Sequence, residues 1–142
     1  MIEWRHRVHF QETDGMRVVY HGNYLNWLEA ARVEYLRSCG ITLSDLMARG
    51  IVFPIVDVHV KYLASARFDD EVIVRAYLTE ASRAKIVFRY EIVREADGAQ
   101  LVAATTVGTF TSMETGRIVR LPADLSAPLC EMAAEDGKVY HG

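Results

Sequence analysis

The chain has 142 residues, of which 51% are hydrophobic and 25% charged, and its formal net charge is −3. That length suits one domain with one core, and the composition is that of an ordinary globular protein. Scattered positive residues under a negative balance exclude the electrostatic footprint of a nucleic-acid binder.

The opening, MIEWRHRVHF, carries charges where a signal peptide needs an apolar run. No apolar stretch is long enough to span a bilayer, so no membrane insertion is expected. Cys39 and Cys130 form neither a disulfide framework nor a metal-type spacing. The expectation is a cytoplasmic protein with two reduced thiols that serve as packing residues.

Residues 4–11 alternate loosely and predict a first strand. Residues 23–39 predict a helix, with Leu25, Leu28, Ala31 or Arg32, Tyr35 and Leu36 at helical spacing. Asn23 is of N-cap type and Gly40 is a stop signal. A second short helix fits 43–50, with Ser44 as its cap. After Gly50 the period becomes two. Val56, Val58, Val60 and Tyr62 share one face, opposite Asp57, His59 and Lys61. Val72, Val74, Ala76 and Leu78 share a face, as do Ile86, Phe88, Tyr90 and Ile92. A fourth long strand over 99–113 contains Gly108, which marks a bulge or a close backbone approach. Short polar turns imply antiparallel pairing. The expected order is β–α–α–β–β–β–β, an α+β fold with one long helix on a sheet of about five strands. Residues from about 126 to 142 read as a surface tail that frays.

The stretch ETDGMRVVYHGNYLNWLEAAR, residues 12–32, holds most of the candidate chemistry. Asp14 lies nine residues before Asn23, too far to cap the helix. It reads either as a turn residue of the Asp-Gly pair or as a functional acid. His21 stands where the chain enters the helix. Unpaired N–H groups and the positive dipole end meet there, and can hold an anion or a polarised carbonyl oxygen. Gly22 would let a ligand approach the backbone. The plain alternative for His21 is a hydrogen-bonded structural residue. Glu29 reads as an exposed helix charge, or as an interface carboxylate whose pKa burial would raise. Arg83 and Lys85 follow a turn and form either a solubilising corner or a small basic mouth for a phosphorylated ligand. His6 and His9 are three apart, which on a strand turns them to opposite faces, so metal binding is not expected. No phosphate loop and no serine elbow occurs. Carboxylate-based or water-based chemistry remains.

The run TDGMRVVYHGNYLNWLEAAR, followed by four long strands that include VKYLASARFDDEV, resembles the hotdog-fold acyl-CoA thioesterases. The branch is that of 4-hydroxybenzoyl-CoA thioesterase and the Tol-Pal-associated thioesterases. Its signature, roughly D-x-D-x-x-G-x-V-Y-H-x-x-Y and then E-x-A-R, stands here as Glu12, Asp14, Val19, Tyr20, His21 and Tyr24, then Glu29, Ala31 and Arg32. The resemblance implies a hotdog fold, a five-stranded antiparallel sheet wrapped around one long helix. It implies thioester hydrolysis with Asp14 as the catalytic carboxylate, the backbone near His21 as the oxyanion donor, and Tyr20 and His21 shaping the pocket. Arg17, Asn23, Glu29, Arg83 and Lys85 become the substrate-binding candidates. No metal or redox cofactor is implied, because coenzyme A arrives as part of the substrate. A homodimer or homotetramer is implied, with sites at the dimer interface. Two departures stand out: Glu12 replaces the first Asp, and Arg17 replaces the glycine. A non-hydrolytic module that binds CoA esters, or an interaction scaffold, is the competing reading.

Overall fold

The period-two alternation becomes the buried face of a sheet. Val72, Val74, Ala76 and Leu78, and Ile86, Phe88, Tyr90 and Ile92, are all fully buried. The computed structural model describes residues 1–140. Strands β1 (Ile2–Arg7), β3 (Ile55–Tyr62), β4 (Glu71–Ala81), β5 (Lys85–Arg94) and β6 (Gln100–Thr109) form one antiparallel sheet in the order β1-β4-β5-β6-β3. Two short strands, β2 (Ile51–Val52) and β7 (Thr111–Ser112), pair separately. Helix α1 (Asn23–Ser38) lies on the buried face, α2 (Leu43–Ala48) follows it, and α3 (Ala123–Val139) closes the described chain.

The α1 residues Tyr24, Trp27, Leu28, Ala31, Tyr35 and Leu36 are buried. This stripe of helical spacing faces the sheet, and each large side chain in it contributes roughly 1.5–3 kcal/mol by burial. Leu25, placed in the stripe by spacing, is instead 43% exposed, because the stripe passes through Tyr24. Gly108 is a close approach, since a Cβ there would meet the Phe53 ring at 2.1 Å. It also faces an irregularity in β3 between Ile55 and Asp57.

Three expectations need correction. The first strand stops at Arg7, and Phe10–Glu12 forms a 3-10 turn. Helix α2 is capped by Thr42, whose hydroxyl accepts from the Asp45 N–H at 3.1 Å, rather than by Ser44. Most clearly, the expected fraying tail is helix α3, packed along β4. Its stripe of Ser126, Leu129, Ala133 and Asp136 is buried. Residues 141–142 of that expected tail lie outside the described residues.

Asp136 explains why α3 docks. β4 runs past the end of β1 and leaves the Leu78 N–H without a strand partner. The Asp136 carboxylate takes that N–H at 2.9 Å. It also accepts from the Tyr35 hydroxyl and the Met1 amine. Burial and this acid together push the Tyr35 phenol well above its ordinary pKa. No helix among the described residues is long and apolar enough to cross a membrane. Replacing Asp136 by Ala strands these donors and should lower unfolding stability by about 3 kcal/mol, measured by urea denaturation.

Candidate active site

A hairpin does not require glycine everywhere, but one position in the 13–19 turn does favour it. Thr13 pairs with Val19, the Asp14 N–H donates to Val18 O at 2.8 Å, and the Arg17 N–H returns to Asp14 O at 3.1 Å. Closing this turn puts Arg17 at φ +64°. That is the left-handed region, where a side chain other than Gly or Asn is strained. The family glycine therefore meets a backbone demand, and Arg17 fills the position against its preference. The arginine does not pair with Asp14; it is exposed and forms no ion pair among the described residues.

Asp14 is exposed at the tip of this turn. One carboxylate oxygen, Oδ1, accepts from the Met16 N–H at 2.8 Å, and the other has no donor among the described residues. The turn rests on the β3–β4 connection, where Val19 N–H donates to Ala66 O at 2.9 Å. Tyr24 accepts from the Ala66 N–H at 2.9 Å, and Arg94 binds Asp70 and the Ser65 carbonyl, so that connection is itself anchored.

At the start of α1 the cap position is Gly22, with no capping side chain. Neither the His21 nor the Gly22 N–H meets an acceptor among the described residues. Both belong to the positive end of a sixteen-residue helix. His21 and Tyr20 are exposed, with their rings 4.4 Å apart, and the Tyr62 hydroxyl donates to His21 O at 3.1 Å. A Cβ on Gly22 would meet the Tyr20 ring at 2.9 Å, so glycine keeps this entrance open.

The residue that joins these parts is Glu12. Its Oε1 accepts from His6 Nε2 and the His9 N–H, both at 2.7 Å, and its Oε2 accepts from Trp27 Nε1 at 2.8 Å. Its carbonyl accepts from the Tyr20 N–H at 2.9 Å and from Asn23 Nδ2 at 2.8 Å. One residue thus ties β1, the 3-10 turn, the hairpin and α1 together. Burial pushes the Glu12 pKa up, but the hydrogen bonds from His9, His6 and Trp27 outweigh it and hold the carboxyl below its ordinary value. The sequence marks Glu12 only as a departure from Asp; its extra methylene carries the carboxylate to Trp27, a contact no local pattern announces.

The other candidates divide. Asn23 is not the cap, because its amide is committed to the Glu12 carbonyl. Glu29 is exposed on α1 and does not pair with Arg32, which donates to the Tyr90 hydroxyl at 3.2 Å. Glu29 borders two cavities, one of about 380 Å³ beside Trp4 and one of about 260 Å³ beside Leu36, Phe53 and Ile55. Arg83 and Lys85 sit at the β4–β5 turn, the far end of β4 from β1's last residue and Asp14. Arg83 holds the Leu121 carbonyl at 2.8 Å and Lys85 pairs with Glu80 at 3.2 Å. One chain does not bring them to Asp14. The expectation that His6 and His9 point apart is overturned: their rings lie 5.1 Å from each other, because the strand ends between them.

A sheet wrapped on a buried helix, with an acid-bearing turn beside free N–H groups at the helix start, is the hotdog arrangement. A profile of the thioesterase-like superfamily matches residues 8–129, and the chain belongs to that superfamily. It is 30% identical over 131 residues to the 4-hydroxybenzoyl-CoA thioesterase of Pseudomonas sp. (strain CBS-3), covering 87% of this chain and 93% of that one. It is 34% identical over 93 residues to the acyl-CoA thioester hydrolase YbgC of Escherichia coli O6:H1, covering 66% and 69%. The DHNA-CoA thioesterase structure from Staphylococcus aureus superposes with a TM-score of 0.90 at 28% identity, covering 99% and 95%.

Two stability outcomes follow from the turn. Arg17→Gly relieves the left-handed strain and should raise stability by about 1 kcal/mol, read as a higher Tm. Glu12 has a lowered folded pKa, so its stabilisation is complete above the ordinary value of 4.5 and fades as pH falls through the folded value. The stability gap between wild type and Glu12→Gln should therefore shrink on acidification below that point, followed by denaturation at stepped pH.

Proposed function

We propose that the chain hydrolyses acyl-CoA thioesters to the free acid and coenzyme A, with Asp14 as the catalytic carboxylate. The observation that carries this reading is the pair of unclaimed N–H groups at His21 and Gly22, beside a turn that holds Asp14 with one oxygen free. A thioester oxygen accepting from those N–H groups gains negative charge as the carbon becomes tetrahedral. Fixed donors at a helix start stabilise that charge without reorganising, and one such donor is worth roughly 10²–10³ in rate. Asp14 either attacks the carbonyl or takes a proton from the attacking water. The thiolate of coenzyme A leaves readily, so this scheme needs no metal or redox cofactor. Tyr20 and His21 wall the entrance.

The reading includes a homodimer joined through β3, with a homotetramer as its further assembly. β3 is an edge strand on which Val56, Val58 and Tyr62 are 59%, 46% and 46% exposed, a long apolar edge that proteins rarely leave bare. Antiparallel pairing of β3 with its copy about His59 sets Asp57 opposite the partner subunit's Lys61. It also carries the partner subunit's Arg83 and Lys85 to the end of the sheet where Asp14 lies, within reach of coenzyme A phosphates. Two free thiols, Cys39 and Cys130, suit work in the cytoplasm. Arg17 is the observation that favours the non-hydrolytic alternative, since it loads a charge onto the catalytic turn.

The deciding experiment is thiol release from short, long and aromatic acyl-CoAs by wild type and Asp14→Asn. The variant should keep its fold and dimer while kcat falls by roughly 10²-fold or more. Release that ignores the substitution removes Asp14 from the reaction, and binding of every ester without release turns the reading to a CoA-ester binding module.

A further inference from the structure

Three potential ligands converge behind the catalytic turn. His6, His9 and Glu12 each offer one donor atom, and these atoms lie within 4.8 Å of one another. We propose that they form a binding site for a single borderline divalent transition-metal ion, of the class of Zn²⁺, Co²⁺ or Ni²⁺. Two imidazole nitrogens and one carboxylate oxygen suit such ions, and suit Mg²⁺ or Ca²⁺ poorly.

The donors are held before any ion arrives. The His6 ring stacks on Trp4 at 5.1 Å and 12°, and packs against Trp27 at 5.2 Å. Its Nε2 already faces Glu12 Oε1 at 2.7 Å. Glu12 keeps its second oxygen on Trp27 Nε1, the outer hydrogen bond that commonly orients a ligating carboxylate. His9 is exposed, so the site opens to solvent on its side, and its ring is free to adjust. Binding gives up one hydrogen bond, between His6 and Glu12, and leaves the fourth position to water.

The spacing is H-x-x-H-x-x-E. It escapes a strand-based reading because β1 ends at Arg7 and the chain turns before His9. The ion would touch the reaction only through Glu12, whose carbonyl holds Tyr20 and Asn23. It would modulate the turn and take no part in the chemistry, so the site stands whatever role Asp14 has.

The chain has two tryptophans, Trp4 and Trp27, and both touch His6. They make the test direct. Chelator-treated protein without a histidine tag is titrated with Co²⁺ while tryptophan emission is followed, and with Zn²⁺ in a calorimeter. The expected result is quenching that saturates at one ion per chain, with one calorimetric site. His9→Ala should weaken both by about 10-fold or more while leaving the melting temperature near that of wild type. His141→Ala, which removes a histidine far from the cluster in sequence, should change neither. Quenching that never saturates, or affinity indifferent to His9→Ala, overturns the site. So does equal loss in His141→Ala, which would mark scattered histidine binding.

Discussion

Everything around the hairpin depends on the Glu12 carboxylate. Three donors from three segments meet on its two oxygens, and its own carbonyl takes two more. A carboxylate with this many donors in a half-buried place is strongly held. The tip carrying Asp14 and the entrance to α1 are therefore set relative to each other by one side chain two residues away. The sheet supplies the platform, and Glu12 fixes what stands on it.

The platform was readable because burial imposes a period. Two alternating runs of four residues, one on β4 and one on β5, bury as their spacing requires, and α1 buries at helical spacing within one residue of expectation. α3 was not readable, since Pro122 and Pro128 and a polar end mimic a fraying tail. Its anchor is an acid, Asp136, placed where a hydrophobic stripe would carry an aliphatic group. A buried acid is legible only once the donors that satisfy it are known, and these come from Leu78, Tyr35 and Met1.

The site divides along the same line. His21 and Asp14 are legible as candidates because helix starts and Asp-Gly turns have local chemistry that sequence displays, while a catalytic role for Asp14 comes only from the family resemblance. Glu12 was passed over because its partners lie fifteen residues away on α1 and six back on β1. Arg83 and Lys85 were proposed from a turn whose neighbours in space lie at the far end of the sheet from Asp14. A second copy of the chain would restore that proximity, which no reading of one sequence along its length can see.

The left-handed Arg17 has a consequence at the level of the gene. Glycine and arginine codons differ by a single first-base change, so relief of the strain is always one nucleotide away. Natural chains rarely sit at their stability optimum, so stabilising substitutions of this kind are easy to find. Arg17 at φ +64° is thus a position where one base change exchanges an exposed guanidinium for backbone relief, with no ion pair among the described residues to lose.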